Sequence, residues 1–433
     1  MKKLVWLLIV CTGIASAEIT AEQRLKWFTP QSLKEAPLKI EVVRECETNG
    51  ANLVEFFFSG GEFNGAPSRI HAFYARPLKK GKFPGVVQLH GAGLQTLGPN
   101  SAIFYATNDF CCISIDWCGP AKDRKNPRVP PYSEFNETGK MARGYEVKPG
   151  EPKPAHQFHT VGIEGDGIRG GVLFVRRAVM LLQARPEVEK DKLFLSGMSA
   201  GAHLSLLVLG VEPAFKGAVV KYGTAFIRDM PGYFGGYFGP LYLCSKEQQD
   251  AWLDVFEPRH NLPNYKASVL LLSGTDDIFF WMPNVLETYR QMPCEKRLVI
   301  YPNDNHSRVG NEIIPLRYYQ SILKLKPAYP VCGAPKAETV AEGVRISCAS
   351  DATEGDFWVK RMPKAKFEFR KSEGFKWEKV AAMKKGTAFE ATVAAPSADE
   401  QIVAYLMVKD GTGAEISSDT VEVPEWPKWR GRK

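Results

Sequence analysis

The sequence predicts an α/β fold, a mostly parallel sheet with helices on both faces, followed by a smaller β-sandwich. Three observations carry the expectation. From about Leu38 to Pro327, short apolar runs alternate with helix-like segments, the pattern of strands linked by crossover helices. Beyond Pro327 the texture changes to several short alternating runs within about ninety residues, as in a sandwich of antiparallel strands. Between the two regions, Pro327, Pro330 and Pro335 punctuate the chain.

Within the first region, Leu53–Phe58 and Ile70–Ala75 read as an opening antiparallel pair. Gly85–His90 and Cys111–Asp116 are apolar runs suited to interior parallel strands. A long apolar-rich helix is expected over Ile168–Ala184, leading to a strand at Lys192–Leu195. Ala218–Tyr222, Ala267–Ser273 and Arg297–Tyr301 continue the series. In the second region, Lys366–Arg370, Phe375–Val380, Phe389–Val393 and Ile402–Val408 have strand character, with turn residues such as Lys385-Gly386 and Asp410-Gly411 between them. The sandwich they suggest resembles an immunoglobulin or fibronectin-type module.

The first residues have the shape of a targeting segment. Lys2 and Lys3 precede an apolar run from Leu4 to Val10, and Ala15-Ser16-Ala17 offers small residues for cleavage. Residues 1–17 are thus expected to be a signal peptide, 18–327 a catalytic domain, 335–424 an accessory sandwich and 425–433 a tail, in a secreted or periplasmic protein. Losing two lysines lowers the formal charge from +8 to +6, too mild to mark a nucleic-acid partner. The densest basic stretch, Lys360–Lys385, is interleaved with strand-like alternation and reads as a solvated face. No later run is long enough to span a membrane.

Eight cysteines remain beyond Cys11. Adjacent Cys111-Cys112 read as buried thiols, and Cys332 and Cys348 are the pair to test first for a disulfide. No cysteine spacing looks like a zinc site.

Chemistry enters at Gly197-Met198-Ser199-Ala200-Gly201, between the strand-like Leu193–Leu195 and a helix-like run from Ala202. A serine at a tight strand-to-helix turn projects its hydroxyl above the sheet, and the glycines relieve crowding at the bend. The helix aims free N–H groups at negative charge forming near the serine. Such a serine needs a base, a carboxylate and oxyanion donors. His306, in the polar loop after the last strand of the series, is the expected base. His203 is expected to pack, because it lies on the following helix. Leu270–Leu272 lead into Ser273-Gly274-Thr275-Asp276-Asp277, and Asp277 is the favoured orienting acid with Asp276 the fallback. The amides of Ala92, in His90-Gly91-Ala92-Gly93, and of Ala200 would bind the oxyanion, each worth on the order of 3 kcal/mol in the transition state. His90 is expected to hold its loop. No metal or organic cofactor is required.

Together these residues resemble the α/β-hydrolase superfamily, closest to its dienelactone-hydrolase and acetylxylan-esterase group. The resemblance covers roughly Ile40–Leu325. It rests on His90-Gly91, the Gly197–Gly201 elbow, Gly274–Asp277 with the following Phe279-Phe280, Pro302-Asn303 leading to His306, and the order Ser199, Asp277, His306. The sequence departs from cephalosporin-deacetylase-like acetylesterases at Asp116-Trp117-Cys118-Gly119-Pro120, where an Arg-Gly-Gln stretch is usual, and at Ala200 and Ser307, where Gln and Glu are usual. The resemblance implies a serine carboxylesterase that removes small acyl groups, acetyl foremost, from carbohydrate such as xylan. A prolyl-peptidase-like hydrolase and a non-catalytic glycan-binding protein are the alternatives. Two long segments, 117–165 and 222–262, are placed to shape the pocket. Trp117, Tyr237 and Phe238 in them either stack on sugar or pack a lid. The sandwich could add contact with a glycan or a partner protein.

Overall fold

A computed structural model describes residues 19–92, 98–118, 133–135, 165–230, 246–308, 310–366, 368–370 and 374–425. Nine strands form the main sheet: β1 (Glu41–Thr48), β2 (Ala51–Phe63), β3 (Ala66–Pro77), β4 (Phe83–Leu89), β5 (Cys111–Ile115), β6 (Val188–Met198), β7 (Phe215–Lys221), β8 (Ser268–Gly274) and β9 (Lys296–Tyr301). Their order across the sheet is β1-β2-β3-β5-β4-β6-β7-β8-β9. The first three pair antiparallel and β3 meets β5 antiparallel, whereas every pairing from β5 through β4 to β9 is parallel. Each residue of β4, β5 and β8 is buried, the two-sided burial that a parallel centre demands. The expected opening pair is β2 and β3, registered Phe58 to Ile70. A further strand, β1, precedes them and joins β2 through Asn49-Gly50, both at positive φ (+47° and +81°), as a type I′ hairpin turn requires.

Helices α1 (Ala21–Phe28), α2 (Gln31–Glu35), α3 (Gly98–Ala106), α4 (Gly167–Ala184), α5 (Ala200–Leu209), α6 (Lys246–Phe256), α7 (Met282–Gln291) and α8 (Ile313–Ile322) surround the sheet. On one face α3 meets α8 through Tyr105 and Tyr319, whose rings stack with centroids 6.4 Å apart. On the other, α4 packs on α5. Asp166 caps α4 by accepting from Ile168 N–H at 2.8 Å. Within α4, buried Arg177 donates to the carbonyls of Leu33, Ala36, Pro37 and Ser59 and ties the N-terminal segment to the body. Glu312, just before α8, accepts from Lys221 Nζ (2.6 Å), Tyr105 Oη (2.7 Å) and Gln88 Nε2 (3.1 Å). These bonds compensate the burial of Lys221 beneath the sheet end. Among the described residues, no helix is long and apolar enough to cross a membrane.

The second region is an antiparallel β-sandwich. One sheet holds β10 (Lys336–Val340), β11 (Gly343–Ala349), β15 (Ala388–Val393) and β14 (Met383–Lys385). The other holds β13 (Glu378–Ala381), β12 (Glu354–Pro363), β16 (Glu400–Lys409), β17 (Glu415–Ser417) and β18 (Val421–Val423). Buried Ile346, Phe357, Phe389 and Leu406 lie between them. The strand expected at Lys366–Arg370 is a correction. Its described residues turn the carbonyls of Phe369 and Arg370 onto the Lys360 ammonium, and that of Phe369 also onto the Trp377 indole, so they are spent on side chains instead of a ladder. Lys360 itself lies inside the sandwich, where burial lowers its pKa to about 8; the reading of a uniformly solvated basic face fails there. Cys111 and Cys112 are buried thiols, and Cys332 and Cys348, the pair expected to be tested for a disulfide, are free thiols here, with Cys332 Sγ on Ser350 Oγ and Cys348 Sγ on Gly333 O.

Candidate active site

Ser199 stands between β6 and α5 with φ +54° and ψ −119°, a conformation in which a side chain costs about 1–3 kcal/mol. Two crowded glycines make the turn possible. A Cβ on Gly197 would come within 2.4 Å of the Gly201 carbonyl oxygen, and one on Gly201 within 2.5 Å of the His90 oxygen. The Ser199 N–H donates to Lys221 O at 2.8 Å. Its hydroxyl makes no capping bond to α5, so it is not spent on holding the helix. The Ala200 amide is the first of that helix, where intrahelical partners are lacking.

Gly91 lies directly against the serine. A Cβ there would sit 3.3 Å from Ser199 Cβ and 3.8 Å from Ser199 Oγ. Absence of a side chain thus lets the segment after β4 approach the hydroxyl, with Ala92 next in line and exposed. The expected pairing of His90 with its own loop is present: His90 Nδ1 lies 2.8 Å from Gly91 O. A carbonyl only accepts, so that nitrogen carries the proton. Burial opposes charge on His90, but Cys118 and Asp116 outweigh it and hold the ring above its ordinary range.

Opposite, β8 and β9 deliver Asp277 and His306. His306 Nδ1 lies 3.0 Å from Asp277 Oδ2. The other oxygen, Oδ1, accepts from the N–H groups of Phe279 (2.7 Å) and Phe280 (3.1 Å), which fixes the carboxylate before it meets the ring. Asp277 is buried (1% exposed). Its neighbour Asp276 accepts from Thr275 Oγ1 at 3.0 Å and faces the sandwich, where it acts on Lys360. The adjacent carboxylates therefore point to different places, and Asp277 is the one on the histidine. With Nδ1 held by Asp277, the ring's Nε2 is the nitrogen available to a nucleophile.

His306 adopts φ +58° in a loop with several restraints. Asp276 N–H donates to Asp304 O at 3.0 Å. A Cβ on Gly274 would lie 2.2 Å from that same oxygen, so only glycine lets the two loops close. Tyr222, at φ +59°, donates its hydroxyl to Asp304 and accepts from Arg308 N–H. Its ring lies 4.6 Å from that of His306, and those of Phe279 and Phe280 lie 4.9 and 6.2 Å away. In the sequence Tyr222 reads as a strand end that opens the 222–262 segment; its place beside His306 comes from sheet order, which a linear pattern does not carry.

The sandwich reaches the same loop. Asn303 Nδ2 donates to Trp377 O (2.9 Å), Trp377 N–H donates to Asn303 Oδ1 (3.0 Å), and Asn303 N–H donates to Thr275 Oγ1 (2.7 Å). Three residues further lies His306. Below it, Ile300 N–H donates to Ser417 Oγ (3.0 Å) and Ile300 O accepts from Tyr405 Oη (3.1 Å). Edge strand β9 is thereby covered by the sandwich, which removes an open ladder.

Trp117, expected among the substrate contacts, is 1% exposed, stacks on His90 with centroids 5.2 Å apart and donates its indole N–H to His90 O at 3.0 Å. Its surface is used inside the protein, as a prop for the segment after β4. Tyr237 and Phe238 lie outside the described residues. His203 is buried as expected and donates its Nε2–H to Phe256 O at 3.0 Å, with burial lowering its pKa to about 4.

Comparison with known proteins agrees with this architecture. The acetyl xylan esterase (AXE1) family matches residues 31–230, and the PhoPQ-activated pathogenicity-related protein family matches residues 204–348. Acetyl esterase Axe7A of Xylanibacter ruminicola is 25% identical over 173 residues, 39% of this chain. That match spans about a third of the relative's length (36%). Among solved structures, acetyl xylan esterase 1 from Thermoanaerobacterium sp. superposes with a TM-score of 0.53 at 19% identity, covering 66% of this chain and 87% of that one. An acetyl xylan esterase from Paenibacillus sp. R4 gives 0.50 at 19% identity, covering 66% and 89%. At such identity the likeness is one of fold.

Proposed function

We infer, from a chain that is an α/β-hydrolase resembling the acetyl xylan esterases, that it is a serine carboxylesterase releasing small acyl groups, acetyl foremost, from carbohydrate such as xylan. The observation that carries the reading is the 3.0 Å bond of His306 to buried Asp277, with Ser199 at a strained elbow and Gly91 pressed against its hydroxyl. Ser199 attacks the ester carbonyl while His306 Nε2 takes its proton. Asp277 holds the tautomer with the proton on Nδ1 and stabilises the imidazolium that forms. The amides of Ala92 and Ala200 face the developing oxyanion, and losing either donor costs about 3 kcal/mol of transition-state stabilisation. His306 then protonates the departing sugar alkoxide and activates the water that cleaves the acyl-enzyme. The chemistry needs no metal or organic cofactor. Carbohydrate as the acyl carrier is supported by the relatives' names. Export, with residues 1–17 removed, suits a polymeric substrate. Residues 18–327 form the catalytic unit in this reading, and 335–424 the accessory one.

The test incubates the purified chain and Ser199→Ala with a small acetyl ester, acetylated xylan and a proline-containing amide. Acetate release from both esters, lost in the variant, is the expected result. Amide cleavage without ester turnover would replace this reading with a peptidase.

A further inference from the structure

Just behind the serine, three metal-capable side chains converge that the proposed hydrolysis does not consume. Leu89 of β4 pairs with Ile115 of β5, so His90 and Asp116 leave neighbouring parallel strands side by side, and Cys118 follows two residues later. All three are buried. Among the described residues they are the one such group whose ligand atoms lie together. His90 Nε2 is 3.6 Å from Asp116 Oδ1, Cys118 Sγ is 3.8 Å from His90 Nε2, and Cys118 Sγ is 3.8 Å from the same Oδ1.

The Cys118 thiol donates to Asp116 Oδ1 and meets His90 Nε2, both as long, weak sulfur contacts. At 3.6 Å a ring nitrogen and a carboxylate oxygen are beyond hydrogen-bond length. Ligands on tetrahedral zinc, with bonds of about 2.0–2.1 Å to nitrogen and oxygen and 2.3 Å to sulfur, stand roughly 3.3–3.6 Å from one another. The observed edges of 3.6, 3.8 and 3.8 Å exceed those by about 0.2–0.3 Å, so a bound ion would draw the three ligands together by that much. The outer contacts also match a metal site. His90 Nδ1–H donates to Gly91 O at 2.8 Å, the arrangement that leaves Nε2 as the ligand nitrogen and sets the ring plane. Ser133 N–H donates to Asp116 Oδ2 at 2.8 Å, orienting the carboxylate so that Oδ1 faces the cluster. Trp117 stacks over His90 and holds its carbonyl.

We propose that His90, Asp116 and Cys118 bind a divalent transition-metal ion of zinc character, as a structural tether between the ends of β4 and β5. The mixed nitrogen, oxygen and sulfur set selects a borderline-soft ion over magnesium or calcium. Binding releases the Cys118 thiol proton to solvent and leaves thiolate on the metal. The tether fixes His90-Gly91 behind Ser199. It does not depend on what the serine hydrolyses, so the outcome of the acetate assay leaves this inference untouched.

Its test is metal content and spectroscopy on the full chain. Protein expressed with added zinc, desalted and analysed by mass spectrometry of the elements, is expected to retain about one zinc per chain. Cobalt(II) added to the chelator-treated, reduced chain is expected to give a thiolate-to-cobalt charge-transfer band, and zinc to shield Cys118 from alkylation. Cys118→Ser should remove the band, and Asp116→Asn should weaken metal retention by ten-fold or more. A reduced wild-type chain that retains no zinc, shows no cobalt–thiolate band and alkylates at Cys118 equally with and without zinc overturns the proposal, and needs no variant to do so. Undiminished metal in both variants would also overturn it, by locating the metal elsewhere.

Discussion

At the scale of single residues, the adjacent aspartates give the sharpest contrast. Asp277 receives two backbone N–H groups on one oxygen and His306 on the other, while Asp276 turns to Thr275 and the sandwich. Asp277→Asn should lower kcat by about 10⁴ through the wrong histidine tautomer. Asp276→Asn should leave kcat within about ten-fold, since it touches no reacting group. Steady-state kinetics on one acetyl ester compares them. The elbow glycines make a different demand. A methyl on Gly197 meets the Gly201 carbonyl at 2.4 Å and Ser205 Oγ at 2.1 Å; there is no free volume to take it. Gly197→Ala should destabilise the chain by at least about 3 kcal/mol, read as a lowered denaturant midpoint. Serine, glycines and both candidate acids could be named from the sequence because strand, turn and helix signals surround them at short range. For Trp117 the sequence left two placements open, because an aromatic beyond a strand end can face solvent or fold back on the next strand's loop, and the packing on His90 decides for the second.

At the scale of elements, the histidine loop is held from two sides. Gly274 lets the β8 loop close on Asp304, and Asn303 exchanges two hydrogen bonds with the backbone of Trp377. Asn303 adopts φ +54°, which glycine also accommodates, so Asn303→Gly removes the link while sparing the backbone. The expected outcome is a kcat about ten-fold lower with KM within two-fold, because base placement suffers and substrate contact does not. A fall in thermal stability with kcat unchanged would show the link to be merely structural. The elements themselves were read well wherever burial is two-sided, as in β4, β5 and β8. β1 escaped notice because its residues are largely exposed and its pattern is irregular, although Asn49-Gly50 marks the turn into β2. In the sandwich, the run at Lys366–Arg370 has strand-like alternation, but a buried ammonium and an indole claim its carbonyls.

At the scale of the whole molecule, the sandwich is joined to the catalytic sheet along edge strand β9 and by the two-bond pair of Arg290 with Asp419, each bond 2.7 Å. Charge within it has a pH signature. Lys360 is buried, and desolvation holds its folded pKa at about 8, below the 10.5 of a lysine in water. A lowered base favours the neutral form in the fold, so its stabilising contribution is present above 10.5 and is lost as pH falls through about 8. The difference in unfolding free energy between the wild type and Lys360→Met should therefore rise with pH across that window, measured by urea titration at several pH values. A flat difference would mean that the ammonium is as well accommodated inside as in water. The division into a parallel α/β body and a sandwich was visible in the change of periodicity. The meeting of the sandwich with the histidine loop was not, because it joins residues seventy-four positions apart.

The claim on which the account turns is that Ser199 is a nucleophile activated by His306. A serine-directed fluorophosphonate, followed by intact mass and peptide mapping, tests it without reference to the natural ester. The expected result is one adduct per chain on the peptide containing Ser199, absent in Ser199→Ala and slowed by about 10³-fold or more in His306→Ala. An unmodified Ser199 in a chain that still releases acetate, or an adduct on another residue with Ser199 untouched, would contradict it.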